Sequence, residues 1–283
     1  MRIIVLVKQV PETDALRLDP ATGTVVRSEE SAIVNPLDLY ALESALKLKD
    51  ADSSIQVTAV SMGPPSAETA LREALAMGCD DAVLVTGREF GGSDTWATGR
   101  TLSAALRRIG AFDFIFAGEK ATDGDTGQVG PEIAAFLGIP VATYIGRIGW
   151  LTGAKSADST GRGRPLLRVE RVLEDGIQVL SCRAPALLTF CKAAGDPRLP
   201  ELAGKRKARK AVITKFGFSD LGIKQEETGT PGSPTHVVKV AMPNLTRKSE
   251  IIDARTEEGM NAACDRVIEL LEHKGLIVRG RKA

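Results

Sequence analysis

DFIFAGEKATDGDTGQVGPEIAAFL, residues 113–137, joins a short apolar run to an amphipathic stretch through a glycine-rich loop. Asp113 to Ala117 is apolar enough for a strand buried on both faces. The residues after Gln128 carry helical spacing. The loop between them holds Gly124, Gly127 and Gly130, with Asp123, Asp125, Thr126 and Gln128. A helix N-terminus presents unpaired N–H groups and the positive end of the helix dipole, which suits a phosphorylated ligand. Glycines let the chain approach that ligand closely, and Thr126 and Gln128 add side-chain donors. Gly and Asp also cap helices in many α/β proteins without any ligand, so the loop alone leaves both readings open.

Working outward, the first 140 residues alternate strand and helix patterns. Near-continuous apolar runs at Ile3 to Lys8, Ile55 to Ser61, Ala82 to Thr86 and Phe112 to Ala117 predict parallel strands. Helices are expected at Leu37 to Lys49, Pro65 to Met77 and Asp94 to Ile109. Such alternation implies right-handed crossovers and an open, mostly parallel α/β sheet with helices on both faces, of the Rossmann-like, adenine-nucleotide-binding kind. Leu16 to Arg27 reads as a hairpin inserted after the first strand. After Pro140 the pattern changes to short strands, at Val141 to Trp150, Pro165 to Glu174, Gly176 to Arg183 and Ala186 to Cys191. Residues 1–195 are therefore expected to form the nucleotide-binding domain, and 196–283 an extension. That extension carries a basic run (KRKARK, Lys205 to Lys210), a Gly/Pro/Ser segment and a last helix, Thr256 to Lys274. Its first part has too few apolar residues for a core of its own and is expected to fold on a partner's surface.

Composition removes several function classes. With 37 basic and 36 acidic residues the chain has no global pull toward nucleic acid or anionic membrane. No apolar run approaches 18 residues, so direct membrane insertion is not expected, and the chain opens on a strand rather than a signal peptide. Four scattered cysteines and two histidines argue against zinc or a disulfide framework, and the default setting is cytoplasmic.

The loops after the strands (VKQVP, SMGPP, GREFGGSDT and the quoted one) all fall at the carboxyl edge of one sheet, where open α/β sheets bind ligands. No GxxxxGK[ST] occurs, and no GxGxxG follows the first strand. Asp123 and Asp125 are read as caps or ribose acceptors rather than a catalytic pair. Lys8 is either a phosphate or flavin contact or a plain surface charge. Thr95 is a second candidate near a flavin ring. Trp96 and Tyr144 are expected in the core.

One longer stretch is more specific. Val169 to Thr189, VERVLEDGIQVLSCRAPALLT, sets Arg171, Glu174, Asp175, Gly176, Gln178, Pro185, Leu187, Leu188 and Thr189 in a pattern that resembles the signature of electron-transfer flavoprotein β (small) subunits. VKQVP, the Asn35–Pro36 step, SMGPP and ALAMG (Ala74 to Gly78) are similar too. The resemblance covers nearly the whole chain. It implies a heterodimer with an α subunit that is gripped by the C-terminal extension. It carries nucleotide contacts onto Leu6, Asn35, Pro36, Leu37, Asp38 and Met62, and onto Asp123, Gly124, Asp125, Thr126, Gly127, Gln128, Val129, Gly130, Pro131, Glu132, Ile133 and Ala134. The implied role is that of an electron carrier rather than a hydrolase, with no catalytic residue assigned.

That family has two branches: one holds structural AMP in this subunit, the other a second FAD. The DGDT…QVGP form, Asp123 to Pro131, resembles the FAD-holding, bifurcating branch, including members linked to nitrogen fixation. There NADH is the donor, with ferredoxin or flavodoxin as one acceptor. An acyl-CoA dehydrogenase or quinone oxidoreductase is the high-potential partner. Two rivals stay open: the AMP-holding form, whose only FAD sits in the α subunit, and an adenine-nucleotide sensor without redox chemistry.

Overall fold

The computed structural model describes residues 1–12, 17–18, 25–26, 32–150, 156–157, 163–238 and 249–277. In chain order the strands are β1 (Arg2–Leu6), β2 (Gln9–Pro11), β3 (Arg17–Leu18), β4 (Val25–Val26), β5 (Ala32–Val34), β6 (Gln56–Met62), β7 (Asp81–Val85), β8 (Phe114–Gly118), β9 (Val141–Trp150), β10 (Ser156–Ala157), β11 (Gly163–Arg164), β12 (Leu166–Leu173), β13 (Gly176–Arg183), β14 (Ala186–Phe190) and β15 (Thr214–Phe216). The α-helices are α1 (Pro36–Ala51), α2 (Glu68–Met77), α3 (Thr95–Ile109), α4 (Val129–Leu137), α5 (Leu202–Lys210), α6 (Phe218–Leu221) and α7 (Glu257–His273).

One sheet of nine strands organises the chain, in the order β13-β12-β9-β14-β8-β1-β6-β7-β15. All neighbouring pairs from β9 to β15 are parallel. Only β12 runs against the rest, pairing antiparallel with both β9 and β13. The expected mostly parallel α/β sheet is thus present. Its strands alternate between two cores. In β1, Ile3 and Val5 face the core under α1 and α2, whereas Ile4 and Leu6 face the one under α3 and α4. A strand covered on both faces has no polar side, which is why these runs read as continuous apolar sequence. In the stretch read as a hairpin, β3 and β4 pair antiparallel; residues 19–24 between them lie outside the described residues.

The segment after Asp196 behaves differently from the expectation. The KRKARK run is the helix α5, and it lies on α2 of its own chain. A Cβ on Gly204 would sit 2.0 Å from the Ala76 carbonyl oxygen, and Arg72 donates to the Ala208 carbonyl at 2.6 Å. β15 then extends the main sheet beside β7. Composition misled here because α5 needs only Ala208 and Gly204 to dock, while its lysines and arginines stay in water. The chain forms two compact units, residues 1–240 and 241–283. In the second, α7 is capped by Thr256, whose hydroxyl accepts from the Gly259 amide at 3.1 Å.

At the centre of the larger core Phe116 is fully buried and meets Phe190 with ring centroids 4.7 Å apart. Phe116→Ala should cost about 3–5 kcal/mol, read as a lower denaturant midpoint at unchanged m-value. A loss under about 1 kcal/mol would mean the core collapses around the gap.

Candidate functional site

β1 lies between β6 and β8, so the sheet changes winding direction at the β1/β8 junction. Adjacent crossovers leave on opposite sides there, and a crevice opens outside the carboxyl ends of the two strands. Leu6 ends β1 and Gly118 ends β8, both at this mouth.

The crevice is built from the start of α1. Asn35 is fully buried and Asp38 nearly so. One Asp38 carboxylate oxygen accepts from the Lys8 amide at 2.7 Å, the other from the Gly118 amide at 3.2 Å. A single side chain thereby ties the ends of β1 and β8 to α1. Gly118 is required for it: a Cβ would come within 2.4 Å of Asp38 Oδ1. Asn35 repeats the arrangement one step outward. Its side chain donates to the Lys120 carbonyl at 2.9 Å and accepts from the Thr122 amide at 3.2 Å, fixing the loop after β8. Pro36 opens α1, and Leu37 follows against the Gly118 backbone.

In the loop 119–128 two of the three acids, Asp123 and Asp125, are already paired with lysines. Lys8 Nζ reaches both carboxylate oxygens of Asp123, at 2.7 and 2.8 Å. Lys120 Nζ meets Asp125 at 2.7 Å, and this contact raises the Lys120 ammonium pKa. Neither aspartate caps α4, whose N-cap position is Gln128 without a side-chain cap. Asp125 and Gly127 both take left-handed backbone, φ 53° and 65°, and turn the chain before α4. Among the described residues the amides of Thr126, Gly127, Gln128, Val129 and Gly130 donate to nothing. Five successive free N–H groups at the positive end of a helix form a site for an anion bound by backbone.

Gly130 lets α4 lie close on β14, where a Cβ would meet the Thr189 methyl at 2.8 Å. Ile133 and Ala134 are buried against the sheet, so they position the helix. Pro131 sits in its first turn. Glu132 accepts from the Thr95 hydroxyl at 3.1 Å, and its other carboxylate oxygen is buried without a partner. Burial raises the Glu132 pKa, opposed by that hydroxyl. Thr95 also contacts Gln128 at 3.3 Å, which brings the first turns of α3 and α4 together. Met62 ends β6 on the same edge, packed under α3. Gly124 projects into open space, with nothing within 4 Å of an added Cβ.

Sequence reasoning missed Gly118 and Lys120. A glycine closing a strand was the available signal for the first, while the second is visible only once the loop is folded. The two aromatics expected in the core are not there. Trp96 is 45% exposed and rests edge-on against Phe136. Tyr144 is 49% exposed at φ 57°, a conformation that costs a tyrosine on the order of 1–2 kcal/mol. The cause is a bulge in β9. The Tyr144 amide turns to the Thr189 hydroxyl at 3.3 Å, and Arg171 clamps the Thr143 carbonyl and hydroxyl at 3.0 Å each. Arg171 and Thr189, ends of the signature stretch, thus hold one irregular strand in place.

Residues 22–221 match the family described as "Electron transfer flavoprotein domain". The electron transfer flavoprotein subunit beta of Thermoanaerobacterium thermosaccharolyticum is 41% identical over 268 residues, 94% of this chain and 98% of the relative. The caffeyl-CoA reductase-Etf complex subunit CarD of Acetobacterium woodii is 39% identical over 277 residues, 98% of this chain and all of the relative. Protein FixA of Azorhizobium caulinodans is 41% identical over 259 residues, 89% of each chain.

Burial dominates at Asp38 and pushes its pKa from the ordinary 3.8 up to about 7, against the opposing Lys8 and Gly118 amides, the Asn35 side chain and the Lys8 charge. The folded state then holds a proton that the unfolded chain has already released. Stability from this group is present below about pH 4 and is lost as pH climbs to about 7. The unfolding free energy of the wild type should therefore fall relative to Asp38→Asn between pH 4 and 7. Parallel curves for the two proteins in chemical denaturation would show that Asp38 stays ionised throughout.

Proposed function

The chain belongs to the electron transfer flavoprotein family as a β subunit, and from that premise we propose that it holds FAD at the start of α4. In this reading it is the small subunit of a heterodimer that takes electrons from NADH. It delivers them by bifurcation to a high-potential acceptor and to ferredoxin or flavodoxin. The observation that carries the ligand reading is the run of unengaged amides from Thr126 to Gly130 beside the crevice. FAD, when bound, supplies the redox chemistry. This chain's own residues bind, orient and shield.

The residues present fit an adenine dinucleotide. The Thr126 to Gly130 amides would hold the pyrophosphate. Asn35 and Asp38, already fixed by backbone, shape the side of the mouth suited to adenosine, with Leu6, Pro36 and Leu37 around it. Gly124 leaves open space, and the orphaned Glu132 oxygen beside Thr95 offers an unused acceptor on the other side. Lys8 is held by Asp123, so its part in ligand binding is to set the position of the loop. Pairing with an α subunit is supported by the exposed apolar surface on the antiparallel part of the sheet. There Ile177 is 66% and Val179 53% exposed, on a strand with one free edge. The name of the A. woodii relative supports an acyl-CoA-converting enzyme as the further partner. No helix among the described residues is long and apolar enough to cross a membrane, which fits a cytoplasmic carrier.

Co-purifying both subunits, denaturing them and counting nucleotides tests this. Two FAD and little AMP per heterodimer are expected; one FAD with one AMP would replace this reading by the AMP-holding one. A carboxylate in the open space at 124 would oppose a phosphate. Gly124→Asp should therefore fold normally and lower affinity for the second FAD by about tenfold. Unchanged FAD content would remove Gly124 from the argument.

A further inference from the structure

The loop that carries the Thr126 to Gly130 amides has neighbours in two directions. In one, Asn35 holds the Lys120 carbonyl and the Thr122 amide. In the other, the Thr95 hydroxyl at the first turn of α3 meets Gln128 and Glu132. What fixes this second neighbour comes from far along the chain. Residues 225–235 lie across the start of α3 as a strap. At one end Arg100 pairs with Glu227, and buried Thr101 and Thr228 join hydroxyls at 2.6 Å. In the middle the Gly229 amide donates to Ser93 Oγ at 3.0 Å and the Thr230 amide to the Gly91 carbonyl at 3.1 Å. At the other end Ser233 Oγ accepts from the Asp94 amide at 2.9 Å and donates to the Gly229 carbonyl at 2.7 Å.

Asp94 is the N-cap of α3. One of its oxygens accepts from the Ala97 amide at 3.0 Å. The other accepts from both the amide and the hydroxyl of Thr235, at 3.0 and 2.8 Å. Burial alone would raise its pKa, but these donors and Ser233 outweigh it and hold the carboxyl low. The strap has little freedom. A Cβ on Gly92 would come within 2.2 Å of the Thr230 hydroxyl, and one on Gly229 within 2.1 Å of the Glu89 carbonyl. The position of Thr95 thus depends on side chains about 140 residues away.

We propose that this strap is a specificity element, with Ser233 and Thr235 as positioning residues. Through Asp94 they hold the first turn of α3 where it receives the distal half of a dinucleotide, and so govern acceptance of FAD without affecting AMP. The inference rests on the adenylate-binding reading of the crevice and assigns the second of these directions a use. AMP ends at the phosphate cradle, whereas FAD continues past it and needs the space beside α3. Loosening Asp94 displaces Thr95, while Asn35 and Asp38, held by Lys8, Gly118, Lys120 and Thr122, keep their own partners.

The test uses the heterodimer with its α subunit, stripped of nucleotide at this site, titrated calorimetrically with AMP and separately with FAD beyond the first equivalent. Thr235→Val and the double variant Ser233→Ala/Thr235→Val should weaken the second FAD by about tenfold. AMP affinity should stay within about twofold, and Thr235→Ser should restore FAD binding. Where the double variant fails to fold cooperatively, the Val and Ser single variants decide. AMP and FAD affinities that fall together, or that both stay put, overturn the proposal. Wild type that takes AMP but no second FAD sinks the strap's role and leaves the adenylate site standing. Wild type that takes neither sinks the site reading, and the strap's role with it.

Discussion

A single buried carboxylate sets the shape of the mouth. At the β1/β8 junction the two strands stop pairing, and the amides of Lys8 and Gly118 are left without ladder partners. Asp38 takes both. An unsatisfied buried N–H costs about 1–3 kcal/mol, so Asp38 removes two such costs, and a rise in its own pKa opposes the gain. Everything outward depends on this brace. α1 starts where Asp38 puts it, Asn35 then reaches Lys120 and Thr122, and the loop between β8 and α4 follows. Pro36 and Leu37 are fixed between these two side chains, which is why the Asn35 to Asp38 run acts as one unit.

The electrostatics of the site run opposite to a lysine-lined phosphate pocket. Two acids in the loop are matched by Lys8 and Lys120, and the lysine ends are 46% and 39% exposed. Exposed pairs of that kind contribute no more than about 1 kcal/mol each. They cancel charge and set loop geometry; they do not attract a ligand over distance. Beside these pairs stand five free amides with the helix dipole behind them, and Glu119, whose pKa burial raises. Backbone donors read the phosphate group and its placement rather than its net charge. That suits a cofactor held through many turnovers better than a substrate captured and released.

Legibility in the sequence followed the range of the interactions. The parallel strands and α1 to α4 were readable because burial on both faces and helical spacing are local patterns. The glycine-rich edge was readable because its loops all follow strands. α5 was missed because docking against Ala76 needs one glycine and one alanine, which leaves no apolar stripe. Tyr144 was misplaced because its exposure comes from a bulge held by Thr189 and Arg171, 45 and 27 residues downstream. The grip of Ser233 and Thr235 on Asp94 spans 139 and 141 residues. Contacts of that span have no period; only the small residues Gly229 and Gly232 hint at them, and those read equally well as loop.

The antiparallel corner leaves apolar side chains exposed. In this sheet β12 is the one strand that reverses, and it carries the eight-residue β13 to the end of the sheet, where alternate residues turn their hydrogen-bonding groups away from β12. Long edge strands in solitary proteins are guarded by charge, proline or a covering element. Arg183 at the end of β13 and the Arg168–Glu170 pair on β12 are guards of that kind, but Ile177 and Val179 are left open between them. The same corner contains the signature residues Arg171 and Thr189, which hold the β9 bulge, while the Thr189 methyl lies against Gly130 at the start of α4. One short stretch of sequence therefore builds an open face and seats the helix that presents the amide cradle. The open face on β13 and the Thr189 seat of α4 on β14 are joined through β12 and the β9 bulge, so the two belong to one continuous piece of sheet.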